Sequence, residues 1–318
     1  MYTTFYGLQC KPFQVLPDPA FLYRSETHTM ALTMLRYGVL SSSPLSVVTG
    51  DTGTGKTTLL RQLLRDLPDD HVAGLVSNFQ PGRGDLLDWI LLAFDQPHDG
   101  SPIARFQRFQ QFIGNCTATG QSIVLMIDEA QNLDAPHLEE LRMLLNLNRE
   151  QEPDLKLILV GQSEFREMLD GPALRHLSQR ITSDYHIQAL GAEDVQPYIR
   201  HRLSVAGVRE EIFPSAVCAL IHRATGGIPR LINVLCELCL TSGCSAERTE
   251  IDEATLRDLT SGMERNGVFN QFASLSGPPR LLRRPASTTR TTGPNQHREA
   301  ASAPFEDGAN RVRTLSQT

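Results

Sequence analysis

The sequence predicts an α/β protein, a doubly wound parallel sheet followed by a small C-terminal all-helical lid domain. Three observations predict it. Gly50-Asp51-Thr52-Gly53-Thr54-Gly55-Lys56-Thr57, followed by Thr58, matches the phosphate-binding pattern G-x-x-x-x-G-K-[ST] at every fixed position. Short apolar runs alternate with helical patterns up to about residue 190, and the run at 123–127 is apolar throughout, as in a strand covered on both faces. From about Gly191 the strand signal stops and only helical patterns remain.

Composition sets the outer bounds. With 318 residues, 40% hydrophobic and 21% charged, the chain has the make-up of a soluble globular protein and the length to bury a core. A formal net charge of −6 gives no basic footprint over the whole molecule, so direct DNA binding is not the default. Six cysteines without framework spacing fit reduced thiols, the first residues lack a secretory leader, and no apolar run reaches membrane-span length. The expected compartment is the cytoplasm.

Residues 1–24 form an aromatic and proline-rich strap containing Phe5, Tyr6, Phe13, Pro17, Pro19, Phe21 and Tyr23. It either lines the nucleotide base or merely covers the core. The core domain then runs over 25–190. Ser25 is placed to cap a helix with Met30, Ala31, Met34, Leu35 and Val39 on one face. Residues 45–49 make a buried strand entering the glycine-rich loop, and Leu59, Leu60, Leu63, Leu64 and Leu67 leave it at helical spacing. Strand, loop and helix in that order are the context the phosphate motif needs.

A second strand follows at 72–76, then a helix carrying Leu86, Leu87, Ile90, Leu91 and Phe94, in which Trp89 reads as packing. Ser101-Pro102 starts a helix with Ile103, Phe106, Phe109 or Gln110, and Ile113 as its stripe. The run at 123–127 ends in Asp128-Glu129. Asp134 and Pro136 open a helix with Leu138, Leu141, Leu144 and Leu145 inward, and 155–160 is a strand ending at Gly161-Gln162. A last strand is read at 183–187. Helical patterns at 195–205, 215–224, 229–241 and 252–263 compose the lid domain, 191–265. From 266 to 318 the composition turns to Ser, Thr, Pro, Ala and Arg: a disordered basic tail of net charge +4 from Gly267, which leaves −10 on the rest. The tail is either an interaction arm or a solvated end.

The chemistry follows from what phosphoryl transfer needs: cradled phosphates, a divalent cation, an oriented water and cationic groups. Glycines at 50, 53 and 55 let backbone N–H groups approach a triphosphate, and the following helix N-terminus adds its dipole. Lys56 reaches the β- and γ-phosphates, while Thr57 ligates Mg²⁺. Asp128 reads as the Walker B carboxylate holding Mg²⁺, and Glu129 as the general base for the attacking water. Gln162 is either a sensor of that water or the γ-phosphate, or a loop-capping amide. Arg180, or else Arg175, is a candidate finger for a neighbouring subunit's γ-phosphate, against the alternative of a surface salt bridge. Arg230 follows Gly226-Gly227-Ile228-Pro229 at a helix start and would project from the lid toward the phosphates. Cys236-x-x-Cys239, with Cys244 and His222 nearby, invites zinc, but the first pair falls on an apolar helix face and no second Cys-x-x-Cys exists, so buried thiols are expected.

Assembled, these residues resemble an AAA+ ATPase of the ExeA type, the general secretion pathway protein A family. The resemblance spans residues 1 to about 260. It is carried by Phe5-Tyr6-Gly7-Leu8, Pro12-Phe13, Pro17-Asp18-Pro19-Ala20-Phe21-Leu22-Tyr23 with His28, Ile127-Asp128-Glu129-Ala130-Gln131-Asn132-Leu133, Leu138-Glu139-Glu140-Leu141-Arg142, Leu145-Asn146-Leu147-Asn148, Leu159-Val160-Gly161-Gln162 and Gly226-Gly227-Ile228-Pro229-Arg230-Leu231-Ile232-Asn233. It implies ATP as the nucleotide, Gln162 as sensor 1, Arg230 as sensor 2, Arg180 as finger and a homo-oligomer. Family members in type II secretion continue into a transmembrane helix and a peptidoglycan-binding region, whereas this sequence is similar to the short ATPases that accompany polysaccharide or surface-protein export. More distantly it resembles the ATP-dependent helpers of DNA transposition. The implied partner is a protein of an envelope export system, reached at the inner membrane through that partner, with DNA as the alternative.

Overall fold

The sheet is organised by its most apolar strands. A computed structural model describes residues 2–41, 44–147 and 155–266. The strands are β1 (Leu45–Gly50), β2 (His71–Val76), β3 (Ser122–Ile127), β4 (Leu155–Gly161) and β5 (Ile181–Ile187). They are parallel throughout, in the order β2-β3-β4-β1-β5. β3, β4 and β1 occupy the interior, which is why their residues are apolar on both faces rather than alternating.

The helices before and between the strands are α1 (Tyr2–Phe5), α2 (Glu26–Leu40), α3 (Lys56–Asp66), α4 (Leu86–Ala93), α5 (Pro102–Ala118), α6 (Ala135–Leu145), α7 (Ser163–Leu169) and α8 (Arg175–Ser178). In β1, β3 and β4, odd-numbered residues such as Val47, Leu125 and Leu157 pack against α4 to α8, and even-numbered ones such as Val48, Val124 and Ile158 against α2 and α3. Each such side chain, fully buried, stabilises the fold by about 1.5–3 kcal/mol. The predicted caps form: Ser25 Oγ accepts from His28 N at 3.3 Å, Ser101 Oγ from Ala104 N at 3.3 Å and Asp134 Oδ1 from His137 N at 3.1 Å.

Three local readings are corrected. The buried face of α2 carries Ala31, Leu32, Leu35 and Val39, while Met30 and Met34 are 43% and 37% exposed, one residue's rotation behind the contact line. Ile103 is 72% exposed because burial along α5 deepens only from Phe106 to Phe109. The last strand starts at Ile181, two residues earlier than read, so Arg180 sits in the turn before it rather than on a helix.

After β5 come α9 (Ala192–Val205), α10 (Ser215–Thr225), α11 (Pro229–Ser245) and α12 (Glu253–Asn266), which share a separate apolar cluster around Val195, Phe213, Ile221, Leu235 and Leu256. Cys236 and Cys239 lie inside it, and burial pushes the Cys239 thiol up to about 12. Tyr2, Tyr6, Leu8 and Phe13 belong to the same cluster, so the first half of the strap is core for the helical region. No described helix is long and apolar enough to cross a membrane. The basic tail read at 267–318 lies outside the described residues.

Candidate nucleotide site

β1 has parallel neighbours on both sides, and its carboxyl end delivers residues 51–55 to α3, the position at which doubly wound sheets hold ligands. Gly53 and Gly55 have φ of +87° and +99°, a region side chains disfavour. Space is also limiting: a Cβ at Gly53 would lie 2.6 Å from Arg230 Cβ, and one at Gly55 would lie 3.2 Å from His28 Nε2. Thr54 is buried, its Oγ1 donating to Asp51 O at 2.9 Å.

Lys56, the first residue of α3, is buried and donates from Nζ to Gly50 O at 2.8 Å and Asp51 O at 2.9 Å. Burial pushes its pKa down, and the carboxylates of Glu129, Asp128 and Asp51 oppose that shift. One residue on, Thr57 Oγ1 donates to Asp128 Oδ2 at 2.6 Å. Asp128 is only 3% exposed; burial pushes its carboxyl pKa up, while the Thr57 hydroxyl and the Glu129 N–H, which donates to Oδ1 at 2.9 Å, hold it down. A buried carboxylate beside a hydroxyl oxygen is a hard-donor pair of the kind Mg²⁺ takes, with phosphate and water completing its shell. Among the described residues no cluster of three or more His, Cys, Asp or Glu side chains could hold a metal.

Glu129 adopts φ +55°, which turns its side chain into the cavity beside Lys56 and Thr57. Its Oε2 accepts from Gln162 Nε2 at 3.2 Å and also from Gln131 Nε2. Gln162 Oε1 accepts from Thr52 Oγ1 at 2.9 Å, so the amide at the end of β4 joins the phosphate loop to the Asp-Glu loop. From the helical region, Arg230 N donates to Gly53 O at 3.2 Å and its side chain lines the cavity, with Pro229 in the first turn of α11. Gly227 permits this approach, since a Cβ there would lie 2.0 Å from Leu190 O.

These groups surround a cavity of about 310 Å³. Thr58 lines its floor, and Phe21, Leu22 and Tyr23 of the strap face Tyr198 and Asn233 of the helical region. Tyr2, Tyr6, Leu8 and Phe13 of the strap pack into the helical core, and Gln14 to Asp18 with Phe21, Leu22 and Tyr23 wall the cavity. Arg180 and Arg175 do not line it. Arg180 Nη2 donates to Asn146 Oδ1 at 2.5 Å, an amide partner rather than a carboxylate, and Arg175 begins α8.

Two residues received no role from the sequence. Arg202 is buried in α9, donating from Nε to Pro12 O at 2.6 Å and from Nη2 to Gln14 O at 3.1 Å, with its guanidinium 4.9 Å from the Phe21 ring centroid. His28 is buried beneath the phosphate loop, its Nε2 2.8 Å from Thr54 O and its Nδ1 2.7 Å from Ser25 Oγ. A carbonyl can only accept, so Nε2 carries the proton and Nδ1 accepts from Ser25. The available signal was the Ser-x-x-His spacing at a helix start, with a polar ring on the inward face.

Burial holds the His28 pKa below its ordinary value. The unfolded chain therefore takes up a proton first, and stability contributed by neutral His28 is complete above about pH 6.5 and lost as pH falls below it. His28→Gln should remove that part of the acid-side slope in denaturant titrations between about pH 5 and 7, while its NH₂ keeps a donor for Thr54 O.

Residues 40–169 match a family described as an AAA domain. Over 242 residues the chain is 40% identical to general secretion pathway protein A of Aeromonas hydrophila, covering 76% of this chain and 44% of that protein. Residues 40–169 are an AAA domain, in a chain related to general secretion pathway protein A. A second relative is the ATP-dependent target DNA activator B of Escherichia phage Mu, 28% identical over 162 residues, 49% of this chain and 46% of that one. The chain thus spans under half the length of either relative. Its AAA fold is also that of the ORC2 protein of Aeropyrum pernix, with a TM-score of 0.61 at 16% identity over 79% of this chain and 71% of that one.

Proposed function

We propose that the protein binds Mg²⁺ and ATP, hydrolyses the nucleotide, and uses turnover to drive or regulate assembly of an envelope secretion or polysaccharide export system. The observation that carries the chemistry is the convergence of Lys56, Thr57 and Glu129 on one cavity that Arg230 also lines, with the buried Asp128 hydrogen-bonded directly behind Thr57. The phosphate loop holds the triphosphate, with Gly50 to Thr58 supplying N–H groups and Lys56 the charge. Thr57 and Asp128 hold the ion, which when bound offsets charge developing on the phosphate oxygens. Glu129 accepts a proton from water as its oxygen bonds to the γ-phosphorus and the bond to the bridging oxygen of departing ADP breaks. Gln162 orients that water, Arg230 contacts the phosphates from the lid, and Arg180 is offered to a neighbouring subunit.

The load is inferred from relationship to general secretion pathway protein A, which supports a cytoplasmic protein held peripherally at the inner membrane through its partner. The relationship to the phage Mu activator supports a second reading, a DNA-associated ATPase acting as transposition helper or target selector. Turnover measured alone, with inner-membrane vesicles carrying the export apparatus, and with double-stranded DNA separates them. Stimulation by the vesicles alone is the expected result. Salt-sensitive stimulation by DNA, abolished on deleting residues 267–318, would replace it with the second reading.

A further inference from the structure

Gln131 sits immediately behind the carboxylate pair and belongs to no role so far described. It lies in the 3₁₀ turn Ala130–Asn132, pinned on either side by the buried Ala130 and Leu133 and closed by Asn132 N donating to Glu129 O at 2.9 Å. The Gln162 backbone N–H donates to Gln131 Oε1 at 3.0 Å. A backbone N–H can only donate, so the opposite end of the Gln131 amide, its NH₂, necessarily faces Glu129 and bonds Oε2. Gln162 is fixed from the Glu129 side: an ionised carboxylate only accepts, so the Gln162 NH₂ meets that same Oε2 and its Oε1 accepts from Thr52.

A closed ring results: Glu129 Oε2 to Gln131, Gln131 to the backbone of Gln162, and the side chain of Gln162 back to Oε2. Both amides converge on one oxygen, and among the described residues no donor meets Oε1. That leaves Oε1 as the proton acceptor for water. Gln131 is not among the residues lining the cavity, whereas Glu129 and Gln162 are, so it acts on them and not on the nucleotide.

We propose that Gln131 is a positioning residue for ATP hydrolysis, locking the Glu129 carboxylate and the Gln162 amide into a single hydrogen-bonded unit that leaves Oε1 free for the attacking water. The inference rests on Glu129 being the base. Hydrolysis tolerates little misplacement of such a group, whereas nucleotide binding depends on the phosphate loop, which Gln131 does not touch. The effect therefore falls on kcat.

The test compares Gln131→Met, close in shape but without the amide, with Gln131→Glu, which keeps the acceptor for Gln162 N–H but sets a like charge against Glu129. Gln131→Met should lower kcat roughly ten- to a hundredfold with the Kd for a fluorescent ATP analogue and the thermal midpoint unchanged. Gln131→Glu should fall further than Gln131→Met, the reverse of the order expected if only shape mattered. Native kcat in Gln131→Met, or a loss that appears in Kd or in the thermal midpoint, would overturn the proposal. Glu129→Gln measured alongside separates the two layers: an inactive Glu129→Gln with a fully active Gln131→Met sinks the positioning role alone, and native turnover in Glu129→Gln sinks the base assignment and the positioning role together.

Discussion

Lys56→Ala should lose ATP binding by two orders of magnitude or more, read by titration with a fluorescent nucleotide at fixed Mg²⁺. Each hydrogen bond from a charged donor contributes about 1.5–3 kcal/mol, and an ammonium between two phosphates makes more than one. The environment strengthens the argument, since Lys56 is already desolvated and needs little reorganisation to meet an anion. The fold should survive, because the side chain satisfies only Gly50 O and Asp51 O, both at the loop itself. Unchanged nucleotide affinity in a folded Lys56→Ala protein would disprove the phosphate-loop assignment.

Glu129→Gln is expected to bind ATP as the native protein does and to turn it over about 10²–10⁴ times more slowly, the range typical of a lost general base. An amide fits the same volume and can still accept from Gln131 and Gln162 through its oxygen, so the cavity keeps its shape. It cannot take a proton. Single-turnover hydrolysis with the nucleotide prebound isolates this step, and native-rate turnover would remove Glu129 from the mechanism.

Legibility in the sequence tracked how local the physics was. The strands, their order of burial and the caps at Ser25, Ser101 and Asp134 depend on neighbours within a few residues, and periodicity and capping chemistry reveal them. The candidate site residues were legible for a related reason: Lys56 and Thr57 open the helix after β1, Asp128 and Glu129 follow β3, and Gln162 follows β4, and a parallel sheet brings those carboxyl ends to one edge. What stayed hidden was made by long-range contact. Nothing near Arg202 in sequence announces that it clamps Pro12 and Gln14, 190 and 188 residues away. Nothing near Gln131 states that its partner is the backbone of Gln162. Met30 and Met34 were misplaced because apolar character alone does not say which of two adjacent helical positions meets the sheet.

The strap gives the molecule a mechanical property. Its first half is built into the helical core, Arg202 fastens it at Pro12 and Gln14, and its far end passes through Ser25 to His28 under the phosphate loop. Residues 15–24 are thus a short tether anchored at both ends, running alongside the Gly53–Arg230 contact that joins the same two regions. Any swing of the helices away from the sheet draws on that tether. Tension would reach Thr54 through one imidazole, so the strap couples the phosphate cradle to the helical region alongside the Gly53–Arg230 contact and the chain between β5 and α9.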